Sequence, residues 1–85
     1  MTVKLVYFAW VRERIGKGEE ELDLPAGVTT VGELLAYLKT LGEEYDEALK
    51  FPEAIRVALN QEHAHHSEKI AGVREIGIFP PMTGG

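Results

Sequence analysis

The residues best placed to do chemistry are the last ones, Phe79-Pro80-Pro81-Met82-Thr83-Gly84-Gly85. Two consecutive glycines make a bare, unbranched strip of backbone, and the α-carboxylate on Gly85 could enter a channel too narrow for any side chain. Pro80 and Pro81 cannot donate backbone amides, so a β ladder must stop there, and residues 80–85 are expected to form a flexible Gly-Gly tail. Six residues beyond Phe79 reach roughly 20 Å at about 3.3 Å each, enough to carry the terminus deep into another protein. A carboxylate is a poor electrophile at neutral pH. Adenylation by ATP is the usual remedy, after which a sulfur nucleophile can displace AMP and leave a thiocarboxylate. Its sulfur would be ionised and nucleophilic near neutral pH, as a thiolate is. The chain has no cysteine, so sulfur carried covalently would sit on the terminus. The plain alternative is a frayed end: with glycine near 7% of residues, a terminal pair arises by chance roughly once in 200 chains.

Other constellations are weaker. His63, His65 and His66 lie close to Glu62 and Glu68, and imidazoles at such spacing can ligate zinc or nickel. Successive strand residues point to opposite faces, so the three need not converge; a polar surface turn is the ordinary reading and no native metal site is expected. Glu19-Glu20-Glu21 and Glu43-Glu44 read as solvated charge, with nothing to place a substrate between them. Arg12, between Val11 and Glu13, is either an interface cation or a solvated helix residue. Val6, Phe8, Ala58 and Phe79 fall on one candidate sheet face and could form a docking patch, the alternative being ordinary core. Trp10 reads as a packing residue.

The elements that must position these groups follow from periodicity. Residues 2–9, TVKLVYFA, are β-branched and aromatic; Val3, Leu5 and Tyr7 share one face, Lys4, Val6 and Phe8 the other. That predicts a first strand with two largely apolar faces, one for the core and one for something outside the chain. A turn of helix over Trp10 to Ile15 should stop at Gly16. A second strand over Glu20 to Leu24 should pair with the first as a hairpin. Thr30-Val31-Gly32-Glu33 has capping-box spacing, and Val31, Leu34, Leu35, Leu38 and Leu41 recur at helical spacing, with Gly42 as the expected residue just past the helix. A shorter helical stretch is expected from Glu43 to Lys50, ending before Pro52. A strand over Ile55 to Leu59 runs into an Asn60-Gln61 turn. Glu75 to Phe79 forms the last strand, with Ile76 and Ile78 on one face and Gly77 and Phe79 on the other, free to pair in parallel with the first. Hairpin, helix, then further strands is the order of an α+β, ubiquitin-like β-grasp: one main amphipathic helix across a mixed sheet, spanning residues 1–79.

At 85 residues the chain can hold one small core, and 45% hydrophobic with 27% charged residues is a globular composition. A net charge of −5 argues against nucleic acid as a partner and for a basic protein surface. No secretory leader and no segment long enough to span a membrane is evident, so a cytoplasmic location is expected by default.

Tyr7-Phe8-Ala9-Trp10-Val11-Arg12-Glu13, the Asn60-Gln61 turn and the ending Ile78 to Gly85 are similar to the small-subunit family of molybdopterin synthase, a group of ubiquitin-like sulfur carriers. The resemblance covers nearly the whole chain, and the ending is its most specific part. One departure precedes the last strand: the family often has an acidic Asp-Gly-Asp turn, and here Ala71-Gly72-Val73-Arg74 keeps only the glycine. The resemblance implies that a ubiquitin-activating-like adenylating enzyme consumes ATP to activate Gly85, that a sulfur donor system converts it to the thiocarboxylate, and that the synthase large subunit uses it on a pyranopterin precursor within a two-plus-two heterotetramer. It implies partner contacts at Val6, Phe8, Arg12, Ala58, Phe79, Pro80, Pro81, Met82 and Thr83, with Gly84 and Gly85 as the reacting end. No permanently bound cofactor is expected, and no catalysis by the chain alone. Alternatives are a related carrier for thiamine or tRNA thiolation, a protein modifier, an interaction module with an inert tail and, least, a stand-alone metal enzyme. Thiamine-type carriers are usually shorter, lacking much of the segment corresponding to Leu41 to Glu53.

Overall fold

A computed structural model describes residues 1–81 of the protein. Strand β1, Thr2–Tyr7, buries Val3, Leu5 and Tyr7 and leaves Lys4 and Val6 half-buried on its other face. It stops two residues short of the apolar run because Ala9 takes a left-handed φ of 52°, which turns the chain into helix α1, Ala9–Ile15, with Phe8 as its N-cap. The helix ends at Gly16, whose φ of 91° suits a residue without Cβ. Strand β2, Glu19–Asp23, returns antiparallel to β1 with Val3 opposite Leu22.

Helix α2, Val31–Leu38, begins as expected: the Thr30 hydroxyl accepts the Glu33 amide while the Glu33 carboxylate accepts the Thr30 amide. Val31, Leu34, Leu35 and Leu38 are fully buried, each worth about 2 kcal/mol in area removed from water. The stripe does not continue to Leu41. After Leu38 the chain tightens into a 3₁₀ turn, Lys39–Leu41, whose larger rotation per residue swings Leu41 off the buried line and leaves it 37% exposed. Gly42 accordingly is not a left-handed terminator: its φ of 165° is extended, and it is the N-cap of helix α3, Glu43–Ala48.

A short 3₁₀ turn, Pro52–Ala54, leads into strand β3, Arg56–Leu59. Asn60 and Gln61 both have positive φ, 49° and 73°, as a two-residue hairpin turn with primed geometry demands. The turn forces an edge strand β4, Glu62–Ala64, where a polar surface turn was expected. Gly72, at φ 80°, sits in a turn closed by the Val73 amide on the Ile70 carbonyl at 3.1 Å, so the turn keeps its glycine despite the altered flanks. Strand β5, Glu75–Phe79, then enters the middle of the sheet.

The sheet order is β2-β1-β5-β3-β4. The β1–β5 pair is parallel and the other three are antiparallel, giving the mixed five-stranded sheet of a β-grasp. Its inner face, Val3, Leu5, Val57, Ile76 and Ile78, closes against α2 in one hydrophobic cluster. Among the described residues no helix is long and apolar enough to cross a membrane.

Candidate functional site

The segment leading to the glycines leaves from the centre of the sheet. β5 is hydrogen-bonded to β1 on one side and β3 on the other, with Tyr7 in register with Ile78 and Arg56 with Phe79. The last bond of the parallel ladder runs from the Phe8 amide to the Ile78 carbonyl at 3.1 Å. Pro80 and Pro81 come next, both half-exposed.

The outer face assembles as the alternation predicted. Register places Val6, Gly77, Ala58 and His63 in one row across β1, β5, β3 and β4. One position further along, Phe8 and Phe79 stack face to face, ring centroids 4.3 Å apart and planes within 2°. Phe8 is 39% exposed, Val6 and Phe79 are half-buried, and Ala58 is buried, so Ala58 is floor rather than rim. Arg12, exposed on α1, lines a depression with Val6, Phe8 and Glu19, its guanidinium lying against Gly18. On the opposite side Pro81 borders an open groove of about 1000 Å³ shared with Arg56, His63 and His65. The structure thus gathers Val6, Phe8, Ala58 and Phe79 on the outer face, with Arg12 beside Val6 and Phe8 on one side and Pro81 beside Phe79 on the other; Pro80 follows Phe79 where the strand ends. Met82, Thr83, Gly84 and Gly85 lie outside the described residues.

The histidines do not converge. The His66 ring nitrogen Nε2 is 2.8 Å from the Ile55 carbonyl, the His63 ring tilts toward Phe79 with centroids 6.1 Å apart, and the His65 amide donates to Glu68 at 3.3 Å. Among the described residues no group of three or more His, Asp or Glu side chains could hold a metal ion.

Two features escaped sequence reasoning. Glu20 is not solvated charge: it faces inward, and its Oε2 accepts hydroxyl hydrogens from Tyr7 and Tyr45, each at 2.7 Å, with Lys17 at 3.4 Å from Oε1. Burial alone would raise its pKa, but the two tyrosine bonds and the Lys17 charge outweigh that and hold it below the ordinary carboxylate value. Both tyrosines shift upward, through burial first and then through the Glu20 carboxylate. The other is Gly77, buried beneath the Phe8–Phe79 stack. A lone glycine inside a strand, Ile76-Gly77-Ile78, is a known sign of close approach and could have flagged it.

Around the strand exit, then, stand two aromatic rings and a strip of small and aliphatic side chains, with Arg12 on one side and Arg56, His63 and His65 on the other. Known proteins resemble this chain in sequence and in fold. Molybdopterin synthase sulfur carrier subunits from Dictyostelium discoideum and Caenorhabditis elegans are 36% and 31% identical over 84 and 87 residues, covering 96% and 100% of this chain and 94% and 99% of theirs. The crystal structure of SAMP1 from Haloferax volcanii superposes with a TM-score of 0.72 at 28% identity, covering 100% of both chains. With the ThiS family model matching residues 5–85, across every strand of this sheet and through Gly84 and Gly85, the chain belongs to the ThiS family.

Proposed function

We propose that the protein is a sulfur carrier for molybdopterin synthesis, with the Gly85 carboxylate as its reacting group. The carboxylate attacks the α-phosphorus of ATP on a ubiquitin-activating-like adenylating enzyme, and pyrophosphate leaves. A sulfide equivalent from a sulfur donor system then adds to the acyl carbon and AMP departs, giving the thiocarboxylate. Within the complex with the synthase large subunit that sulfur attacks a carbon of the pyranopterin precursor, the carbon–oxygen bond there breaks and the oxygen leaves with the bonding pair, and water then cleaves the acyl–sulfur bond, leaving the sulfur on the pterin and returning the carboxylate. The chain supplies the tail and its mounting, while acid and base groups come from its partners; it is not an enzyme alone.

The observation that carries this reading is the mounting itself. β5 is paired on both sides, with β1 as far as Ile78 and with β3 as far as Phe79, before Pro80-Pro81, so the residues beyond leave from a strand in the middle of the sheet. The sulfur-carrier role of the Dictyostelium and Caenorhabditis relatives points the same way. Incubation with ATP, an adenylating enzyme and a sulfur donor should exchange one terminal oxygen for sulfur, seen by intact-mass spectrometry, and deletion of Gly84-Gly85 should abolish the exchange without altering the fold. Exchange that survives the deletion refutes the assignment.

A second reading has its own support: the Haloferax relative in structure is a small archaeal modifier protein, and an acyl-adenylate attacked by a lysine amine instead of sulfide would give an isopeptide bond. Tryptic peptides whose partner lysine carries the branch Glu75 to Gly85, cut after Arg74 as the last tryptic site of the chain, would favour it. A carrier for thiamine or tRNA thiolation would use the same terminus, and the acceptor of labelled sulfur separates these from the first reading.

A further inference from the structure

We propose that Gly77 is a positioning residue for the tail: its bare α-carbon seats the Phe8–Phe79 stack, and that seat fixes the direction in which Pro80-Pro81 leaves the sheet. This rests on the carrier reading for its functional consequence, though not for its geometry.

A Cβ built on Gly77 would stand 3.0 Å from Cε1 and 3.3 Å from Cζ of Phe79, and 3.3 Å from Cε2 of Phe8. The Phe79 ring therefore folds back along β5 over the residue two places upstream, away from Pro80. The Phe8 ring lies flat against it, with planes within 2°. Phe8 is itself held, because its amide donates to the Ile78 carbonyl at 3.1 Å and it caps α1. Phe79 is thus clamped by the Phe8 ring, by the absence of a side chain beneath it at Gly77, and by its register with Arg56.

The Pro80-Pro81 root of the tail is stiff. A residue before proline is confined to extended conformations, which applies to both Phe79 and Pro80, and each proline ring fixes its own φ. The orientation of Phe79 is accordingly passed to Pro81 with little slack. The seat on Gly77 therefore sets the direction of the root as far as Pro81. A methyl at position 77 meets the two rings at 3.0–3.3 Å, so they must give by a few tenths of an ångström, and the larger valine must displace them further, while Gly77, being buried, offers no contact of its own to a partner.

The test uses Gly77→Ala and Gly77→Val in the full chain, with amide spectra confirming that each folds. Residual dipolar couplings of the Thr83, Gly84 and Gly85 amides are measured without any partner. Steady-state adenylation is then followed by pyrophosphate release, with an adenylating enzyme that turns over the unaltered chain. The couplings should change in both variants. kcat should fall about threefold for alanine and about tenfold for valine, with KM within about twofold, since misplacement of about 1 Å can cost up to 10²-fold. Unchanged couplings, including values near zero in all three proteins, overturn the proposal, as does a rise in KM with kcat intact, which would make the rings contacts only. If no adenylating enzyme accepts the unaltered chain, the carrier reading fails, and the couplings still decide the role of Gly77.

Discussion

Replacing Glu20 by alanine should cost the fold about 3 kcal/mol. The carboxylate accepts two hydroxyl hydrogens at 2.7 Å, from Tyr7 of β1 and Tyr45 of α3, and hydrogen bonds to a charged group contribute about 1.5–3 kcal/mol each. The Glu20 side chain keeps 16% of its exposure, so solvent screens it somewhat and the lower end applies to each bond. Lys17 is exposed and adds little. Alanine also strands the Tyr7 hydroxyl, since Tyr7 is only 2% exposed and water cannot readily replace the lost acceptor. Glutamine, which retains a neutral acceptor for one hydroxyl, should lose about half as much. Urea unfolding followed by the fluorescence of Trp10, the sole tryptophan, gives the answer: with a slope of about 1 kcal/mol per molar, the alanine midpoint should drop by about 2–3 M. A cycle of Glu20→Ala with Tyr45→Phe should show coupling of at least about 1 kcal/mol. A loss under about 0.5 kcal/mol, or coupling below about 0.3, would mean that the bridge is ornamental and that α3 is held by apolar contact alone.

The same cluster sets a pH window. Glu20 is lowered on folding from an ordinary value of 4.5, so its stabilisation is complete above about pH 4.5 and is lost as pH falls through the lower folded value; Tyr7 and Tyr45 are raised from 10.0, so theirs is complete below about pH 10 and is lost as pH rises beyond it. Thermal melts from pH 2 to 11 should show both shoulders, and Glu20→Ala should flatten the acid one. Thr30→Ala removes the hydroxyl that accepts the Glu33 amide at 3.2 Å and should cost about 1 kcal/mol in the same urea assay, an unchanged midpoint showing that the capping box contributes nothing. Asn60→Ala should cost about 2 kcal/mol, because Asn60 Oδ1 accepts the Arg74 and Glu75 amides, both at 3.1 Å. Gln61→Gly should instead gain about 0.5 kcal/mol by relieving a φ of 73°; a loss would assign work to the Gln61 side chain.

The features legible in the chain were those that lie close together in it. The α2 start was legible because a capping box spans four residues, Thr30 to Glu33, and its stripe because Val31, Leu34, Leu35 and Leu38 recur within two turns. The outer patch was legible because strand alternation needs only the local period of two. The misses each needed a contact that local pattern does not encode. Tyr45 reaches Glu20 across 25 positions, so Glu19-Glu20-Glu21 looked like solvent-facing charge although a strand must turn one of the three inward. β4 is three residues, Glu62-His63-Ala64, with no strand propensity of its own; it exists because Asn60 and Gln61 reverse the chain onto β3. Leu41 fits the helical stripe on paper, and only the 3₁₀ tightening after Leu38 removes it. Gly77 was assigned to the correct face, yet its role depends on Phe8, far earlier in the chain, closing over it.

The placement of β5 explains why a carrier would be built this way. A tail grown from an edge strand such as β4 could fray back along its root at the cost of one ladder, and its direction would blur. A tail grown from β5 can do so only by breaking the β1 and β3 ladders together, and β1 reaches the sheet edge through β2, whose Glu20 ties it to α3. Root direction and global stability are therefore linked in this fold, but the stack on Gly77 adds a local control over direction alone. Glu20→Ala, more than a strand's width from Phe79 in the sheet order, should leave tail orientation unchanged while the protein remains folded, whereas Gly77→Val should alter that orientation with far less loss of stability. If dipolar couplings at Gly84 and Gly85 instead track the urea midpoint across both variants, the stack on Gly77 is not a separate aiming device and the sheet alone sets the tail.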